Sequence, residues 1–199
     1  MLAMAAALKL IYYPDPRLRL KSEPVTVFDA SLRETVKGMQ KTMIEAKGIG
    51  LAAIQVAIPK RLLIIDIGDL SADEEYIEGD KDSEKRLSER KTVSNLEVFV
   101  NPEIIEASGQ IEYEEGCLSV PGVHAVVKRN ESLKVRYQDL DGKTHEIETH
   151  GLRSIVIQHE LDHLNGIVFP DRLSSIQKMM VLSKYKKLQA EKDLEPEDA

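Results

Sequence analysis

Gln158-His159-Glu160-Leu161-Asp162-His163 is the stretch on which the reading of this chain turns. A helix carries residues four apart to one face, so imidazoles at 159 and 163 can grip one metal ion while the Glu160 carboxylate stands beside it. The chain continues Leu164-Asn165-Gly166-Ile167-Val168-Phe169, and the extended pattern HExxHxxGxxH would require histidine at the last of these positions. Phe169 stands there, so a third ligand must come from elsewhere. The chain has one cysteine, Cys117, within Glu115-Gly116-Cys117-Leu118-Ser119. A thiolate and two imidazoles suit a first-row transition metal and leave a fourth position for water.

Around this stretch the sequence predicts a helix that Gly151 opens and Gly166 stops, with Leu152, Ile155, Val156 and His159 on one face. Upstream, Leu133, Val135 and Tyr137 alternate before Asp141-Gly142, and with the run from Lys143 to Thr149 they signal a hairpin. Further strands are expected at Glu97 to Asn101, Glu103 to Tyr113 and His124 to Lys128, with a buried one at Arg61 to Asp66. Leu32, Val36, Met39 and Met43 recur at helical spacing, and Ser31 with Glu34 resembles a capping box, so a helix is expected to run to about Ala46 and end at Gly48. A last helix is expected after Ser174 with Ile176, Met180 and Leu188 on one side. Residues 68 to 95 are crowded with charge and read as a solvated insertion or loop, and residues 191 to 199 read as a flexible acidic tail.

At 199 residues and 42% hydrophobic content, the chain suits one catalytic domain spanning 1–199 rather than two. A single cysteine excludes an internal disulfide framework and fits a reducing compartment. Met1 to Leu8 is apolar but too short for a membrane span, and it lacks the basic start of a secretory signal, so the cytoplasm is the expected location and no membrane partner is expected. The net charge of -7 argues against binding DNA through bulk electrostatics.

Each motif also has a plainer meaning. A lone cysteine is most often a small buried apolar residue. The run GIGLAAIQ at 48–55 lacks the Lys-Ser/Thr ending of a phosphate loop and, by itself, reads as a glycine-rich helix exit. His124, His145 and His150 fall in strand or boundary contexts, read as surface residues, and are left out of the metal set.

Together, GIGLAAIQ, EGCLS and QHELDH resemble the motif set of the peptide deformylases, in the same order and each complete. The resemblance extends from Pro14-Asp15-Pro16-Arg17-Leu18 through Asn101-Pro102 to the hairpin and terminal helix. It implies an α+β fold with antiparallel sheets packed around a central helix carrying HExxH, and a C-terminal helix. It also implies a metal-dependent hydrolase that removes the formyl group from the N-terminal formylmethionine of newly made proteins and releases formate. By motif position, Cys117, His159 and His163 bind one divalent ion, commonly Fe(II), with zinc, nickel or cobalt as alternatives. Glu160 serves as general base and then acid, while the Gln55 side chain and the Leu118 amide face the charge that grows on the formyl oxygen. Ile49, Gly50, Leu118, Ile155 and Val156 wall the pocket for methionine, and Asp162 is expected to pair with Arg129.

The sequence also departs from that pattern. His124 stands where the family often has arginine or an aromatic residue that can touch the peptide beyond methionine. The charged insertion is longer than usual, and a solvated loop is its favoured reading. Lys178, Lys184, Lys186 and Lys187 make the final helix resemble one through which some bacterial relatives approach the ribosome. A zinc endopeptidase would need a different third ligand. A non-enzymatic binding module would be expected to have lost Glu160, Gln55 or a ligand, and none is lost.

Overall fold

The structure is a computed structural model that describes residues 6–68 and 95–192. The charged stretch expected over 68–95 and the tail expected over 191–199 therefore lie, except for their edges, outside the described residues.

The first helix, α1, covers Ala30–Glu45. Its N-cap is Asp29, whose side chain accepts a hydrogen bond from the Leu32 N–H at 3.0 Å, so Ser31 lies inside the helix and does not form the expected capping box. The helix ends as expected near Gly48, but Lys47 takes the positive φ of 56°. Strands β1 (Gly50–Ala52), β2 (Leu62–Ile65) and β3 (Glu97–Ser108) follow in antiparallel register.

The four apolar residues of β2 explain why the fold has layers on both sides of this sheet. Alternation sends Leu62 and Ile64 to one face, where they meet Val36, Met39 and Met43 of α1. Leu63 and Ile65 point to the other face, against Val156, Ile157, Leu161 and Leu164. Those four belong to α2 (Gly151–Leu164), the helix that carries the HExxH residues. Burial of β2 on both faces supplies about 1.5–3 kcal/mol for each large apolar side chain removed from water.

Strand β3 unites two expected strands. Asn101, at φ 51°, sits at a register irregularity and donates to the Val25 carbonyl and Gln138 Oε1, so Asn101-Pro102 bends the strand without ending it. The expected strand over 103–113 is instead broken by Gly109, whose φ of 67° suits a residue without Cβ. Beyond it, β4 (Ile111–Glu115) and β5 (Ala125–Arg129) form a separate two-stranded sheet. The expected hairpin is β6 (Ser132–Gln138) with β7 (Thr144–His150), and the larger sheet runs β1-β2-β3-β6-β7.

The C-terminal helix, α3, covers Ser175–Lys192. Ile176 and Met180, expected on its packed side, are 68% and 64% exposed. Val181, Tyr185 and Leu188 pack instead against Val120, Val123 and Phe169. Leu188 lies on the packed side as expected, and the ridge that meets the protein runs through Tyr185 rather than through Ile176 and Met180. Tyr185 donates its hydroxyl to the Tyr13 carbonyl at 2.8 Å, which fixes that rotation.

Candidate active site

From Ser154 to Leu164 every residue of α2 is buried, so each polar group on it needs a partner or a ligand. The turn after β4 brings Cys117 to this helix. Its Sγ lies 3.2 Å from His163 Nε2, and one ligand atom from each of Cys117, His159 and His163 falls within 4.8 Å of the others. His145 and His150 take no part in that cluster.

The small sheet supplies the support. His159 Nδ1 lies 2.8 Å from Glu115 Oε2, two residues before the cysteine. Arg129, at the end of β5, grips Glu115 with Nε and Nη2 at 2.6 and 2.9 Å, and its Nη1 reaches Asp162 Oδ2 at 2.6 Å. The expected Asp162–Arg129 pair is therefore present, and Arg172 Nε joins it at 2.9 Å from the same Asp162 oxygen. Glu115 and Arg172 were missing from the sequence reading. An acid beside a cysteine carries no signal of which ring it will meet.

The charges follow from this packing. Burial pushes the Glu115 carboxyl up, but Arg129 and His159 outweigh it and hold it at about 2. Burial lowers the His159 pKa, while the hydrogen bonds and charges of Cys117 and Glu115 more than reverse that. For His163, burial and the neighbouring His159 act together and keep the ring neutral. Burial raises Glu160 to about 7, against the pull of His159.

The residues fit a metal ion. The donor set is thiolate and imidazole, and the Glu115 contact leaves His159 Nε2 available as a ligand when Nδ1 carries the proton. Glu160 Oε2 is buried beside that cluster without a hydrogen-bond partner among the described residues. An oxygen so placed is available to a proton at the reacting centre.

Gln55 is aimed by its own turn. Its Oε1 accepts from the Ala52 N–H at 2.8 Å, which leaves Nε2 pointing to Ser119 Oγ at 3.3 Å and Cys117 Sγ at 3.8 Å. A cavity of about 780 Å³ opens over Cys117, His159 and Glu160, and Gln55, Ile49, Gly50, Leu118, Ile155 and Val156 all line it. Tyr113 and Leu152 are further walls that the sequence reading did not assign. His124 is exposed, as its surface reading expects, and lines the cavity at the position expected to touch the peptide beyond methionine; its ring covers Gly116 so closely that a Cβ there would sit 2.6 Å from Cδ2.

Phe169, where the extended pattern would place histidine, is buried with its ring 6.5 Å from that of His159. The site thus has the form of an HExxH centre with a thiol beside its two imidazoles, a donor set that suits a metal-dependent hydrolase. A family model described as polypeptide deformylase matches residues 7–179. The peptide deformylase of Chromobacterium violaceum is 48% identical over 182 residues, covering 92% of this chain and 96% of that protein. That of Novosphingobium aromaticivorans is 45% identical, covering 90% and 96%. The crystal structure of a peptide deformylase from Legionella pneumophila superposes with a TM-score of 0.79 at 38% identity, over 96% of this chain and 100% of that one. The chain belongs to the polypeptide deformylase family.

Proposed function

We propose that this chain, working as one catalytic domain, hydrolyses the formyl amide of N-formylmethionyl peptides and releases formate. The observation that carries this reading is the meeting of Cys117, His159 and His163 beside Glu160, whose Oε2 has no hydrogen-bond partner among the described residues, in a largely apolar cavity. When bound by those three residues, a divalent ion supplies Lewis acidity that polarises the formyl carbonyl and acidifies water.

Glu160 takes the proton from the attacking water and returns it to the departing amine, because a neutral amine leaves far more readily than an amide anion. Gln55 Nε2 and the Leu118 amide face the formyl oxygen as negative charge grows on it. Ile49, Gly50, Ile155 and Val156 receive the methionine side chain, with Tyr113 and Leu152 completing the walls. His124 is placed to touch the peptide beyond that residue.

Fe(II) is the proposed ion, with zinc, nickel and cobalt as alternatives that the same donors accommodate. The cytoplasm is the proposed location; no helix among the described residues is long and apolar enough to cross a membrane. A transient ribosome contact through α3 is supported by its exposed Lys184, Lys186 and Lys187, although Lys178 is paired with Asp171 at 2.7 Å. That contact should weaken with salt and disappear on truncation after Leu173, provided the shortened chain stays folded.

The deciding experiment measures formate release from a formyl-Met peptide by anaerobically prepared, iron- or nickel-loaded protein. Formate release from the formyl peptide, none from its acetyl counterpart and strongly reduced release with Glu160→Ala is the expected result. Fully metal-loaded, folded protein that releases no formate would overturn the reading.

A further inference from the structure

A second cavity, of about 510 Å³, lies against another face of α2, formed by Gln158, Leu161, Asp162 and Asn165. Its charge is lopsided: Arg61, Lys128, Arg129 and Arg172 line it with only two carboxylates, Glu103 and Asp162. Asp162 is already engaged by both Arg129 and Arg172. Lys128 reaches Glu112 at 3.3 Å, but both side chains are largely exposed, so water and salt screen that pair.

Arg61 is the group left without an anion. It donates to the Asn165 Oδ1 at 3.1 Å and the Pro102 carbonyl at 3.0 Å, both neutral acceptors. Among the described residues no carboxylate oxygen lies within ion-pair distance of it. Burial lowers its pKa, with only the more distant Glu103 acting the other way. A partly desolvated guanidinium with two neutral partners retains donors in a planar fork that matches an oxyanion.

We propose that this cavity binds a small oxyanion, inorganic phosphate or a phosphate monoester, with Arg61 as its principal ligand and Lys128 at its exposed side. Arg129 and Arg172 are matched by Glu115 and Asp162, so Arg61 and Lys128 are the cations on the cavity wall that are left to an added anion. The site is separate from the reacting centre but shares structure with it, because Arg129 lines this cavity while holding Glu115 and, through it, His159. The inference does not depend on which acyl group the enzyme removes.

The test is a calorimetric titration of the metal-loaded protein with inorganic phosphate at constant ionic strength, with chloride as the reference salt and backbone amide NMR shifts recorded in parallel. Saturable binding is expected, with shifts at Asn130, Gln158 and Asn165. R61Q should weaken it about ten-fold or more, the scale of one charge-assisted contact, while R61K retains part of it. Glucose 6-phosphate titrated in the same way separates the two sources: tighter binding than inorganic phosphate favours a monoester, and weaker binding favours the free ion. Phosphate binding no stronger than the ionic-strength response, or equal affinity in wild type and R61Q, would overturn the proposal; the second result would place phosphate at another site, such as the metal. If R61Q does not fold, K128Q decides: weakened binding supports the site, and unchanged binding overturns it.

Discussion

Glu115 Oε2 lies 2.8 Å from His159 Nδ1, and Arg129 holds the same carboxylate from its other side at 2.6 and 2.9 Å. The arginine keeps Glu115 ionised, and a proton held on Nδ1 by Glu115 would leave the Nε2 lone pair free for an ion shared with Cys117 and His163. Replacing Glu115 by glutamine should therefore weaken metal binding about 10- to 100-fold, the usual cost of losing such a partner. Competition against a chelator measures it, and unchanged affinity would remove Glu115 from this role.

Arg129 joins three elements, since Glu115 ends β4, Asp162 is on α2 and Arg129 itself ends β5. Its side chain is 3% exposed, and Arg129→Met would strand the Glu115 carboxylate in the interior while leaving Asp162 only Arg172. Breaking one side of a buried ion pair costs roughly 3–5 kcal/mol. Urea unfolding should show a loss on that scale, together with reduced metal content.

The reacting groups separate by what each variant loses. Glu160→Ala should keep its metal while turnover falls about 10²- to 10⁴-fold, whereas Cys117→Ala should lose both. Gln55→Leu should cost about 3 kcal/mol of transition-state stabilisation with the ion still bound. Metal analysis alongside kcat/KM distinguishes the three, and normal turnover by Gln55→Leu would exclude its donor role.

Gly50 is a steric requirement of the same centre. A Cβ there would lie 2.5 Å from Glu160 Oε1 and 2.8 Å from Val156 Cγ1. Gly50→Ala should displace the carboxylate and lower kcat by at least about ten-fold, as expected for a small misplacement of a reacting group, while Cys117, His159 and His163 still hold metal. Full kcat in the alanine variant would show that Glu160 tolerates the shift.

Acid stability should depend on Asp171. Burial raises its carboxyl, but Arg19 and Lys178 outweigh this and hold it at about 2, below an ordinary value near 3.8. A carboxyl depressed on folding contributes its stability above the unfolded pKa and loses it as pH falls through the folded value. The contribution, roughly 1 kcal/mol after screening, should vanish between about pH 4 and 2. Asp171→Asn should reduce the pH dependence of unfolding in that window and leave the part that Glu115, also held at about 2, contributes there.

Several misplacements have one origin. Ser31 with Glu34 satisfies the capping pattern, but the backbone turns at Asp29, whose carboxylate reaches the Leu32 amide first. Asn101-Pro102 reads as a strand end, yet the side-chain amide of Asn101 replaces the missing ladder partners and β3 continues. Ile176 and Met180 share a helical spacing, but Tyr185 has a carbonyl to meet at Tyr13 and sets the rotation of α3. In each case a long-range partner decided between local alternatives of similar energy.

The sequence by itself determined the elements whose signal is local: the HExxH helix, the hairpin, the buried run at β2, and the motif order that marks the family. It also offered Cys117 as a candidate ligand, because the chain holds one thiol and Phe169 closes off the nearest histidine option, and the motif resemblance strengthened that candidate. Only the tertiary structure decided that Glu115 and not another acid faces His159, that Arg172 joins Arg129 on Asp162, and that Tyr113 and Leu152 border the cavity. Those contacts cross from one sheet to a helix and to the turn beyond it. Residues far apart in the chain carry no periodicity that records their meeting, so burial and charge compensation select them only when the layers close.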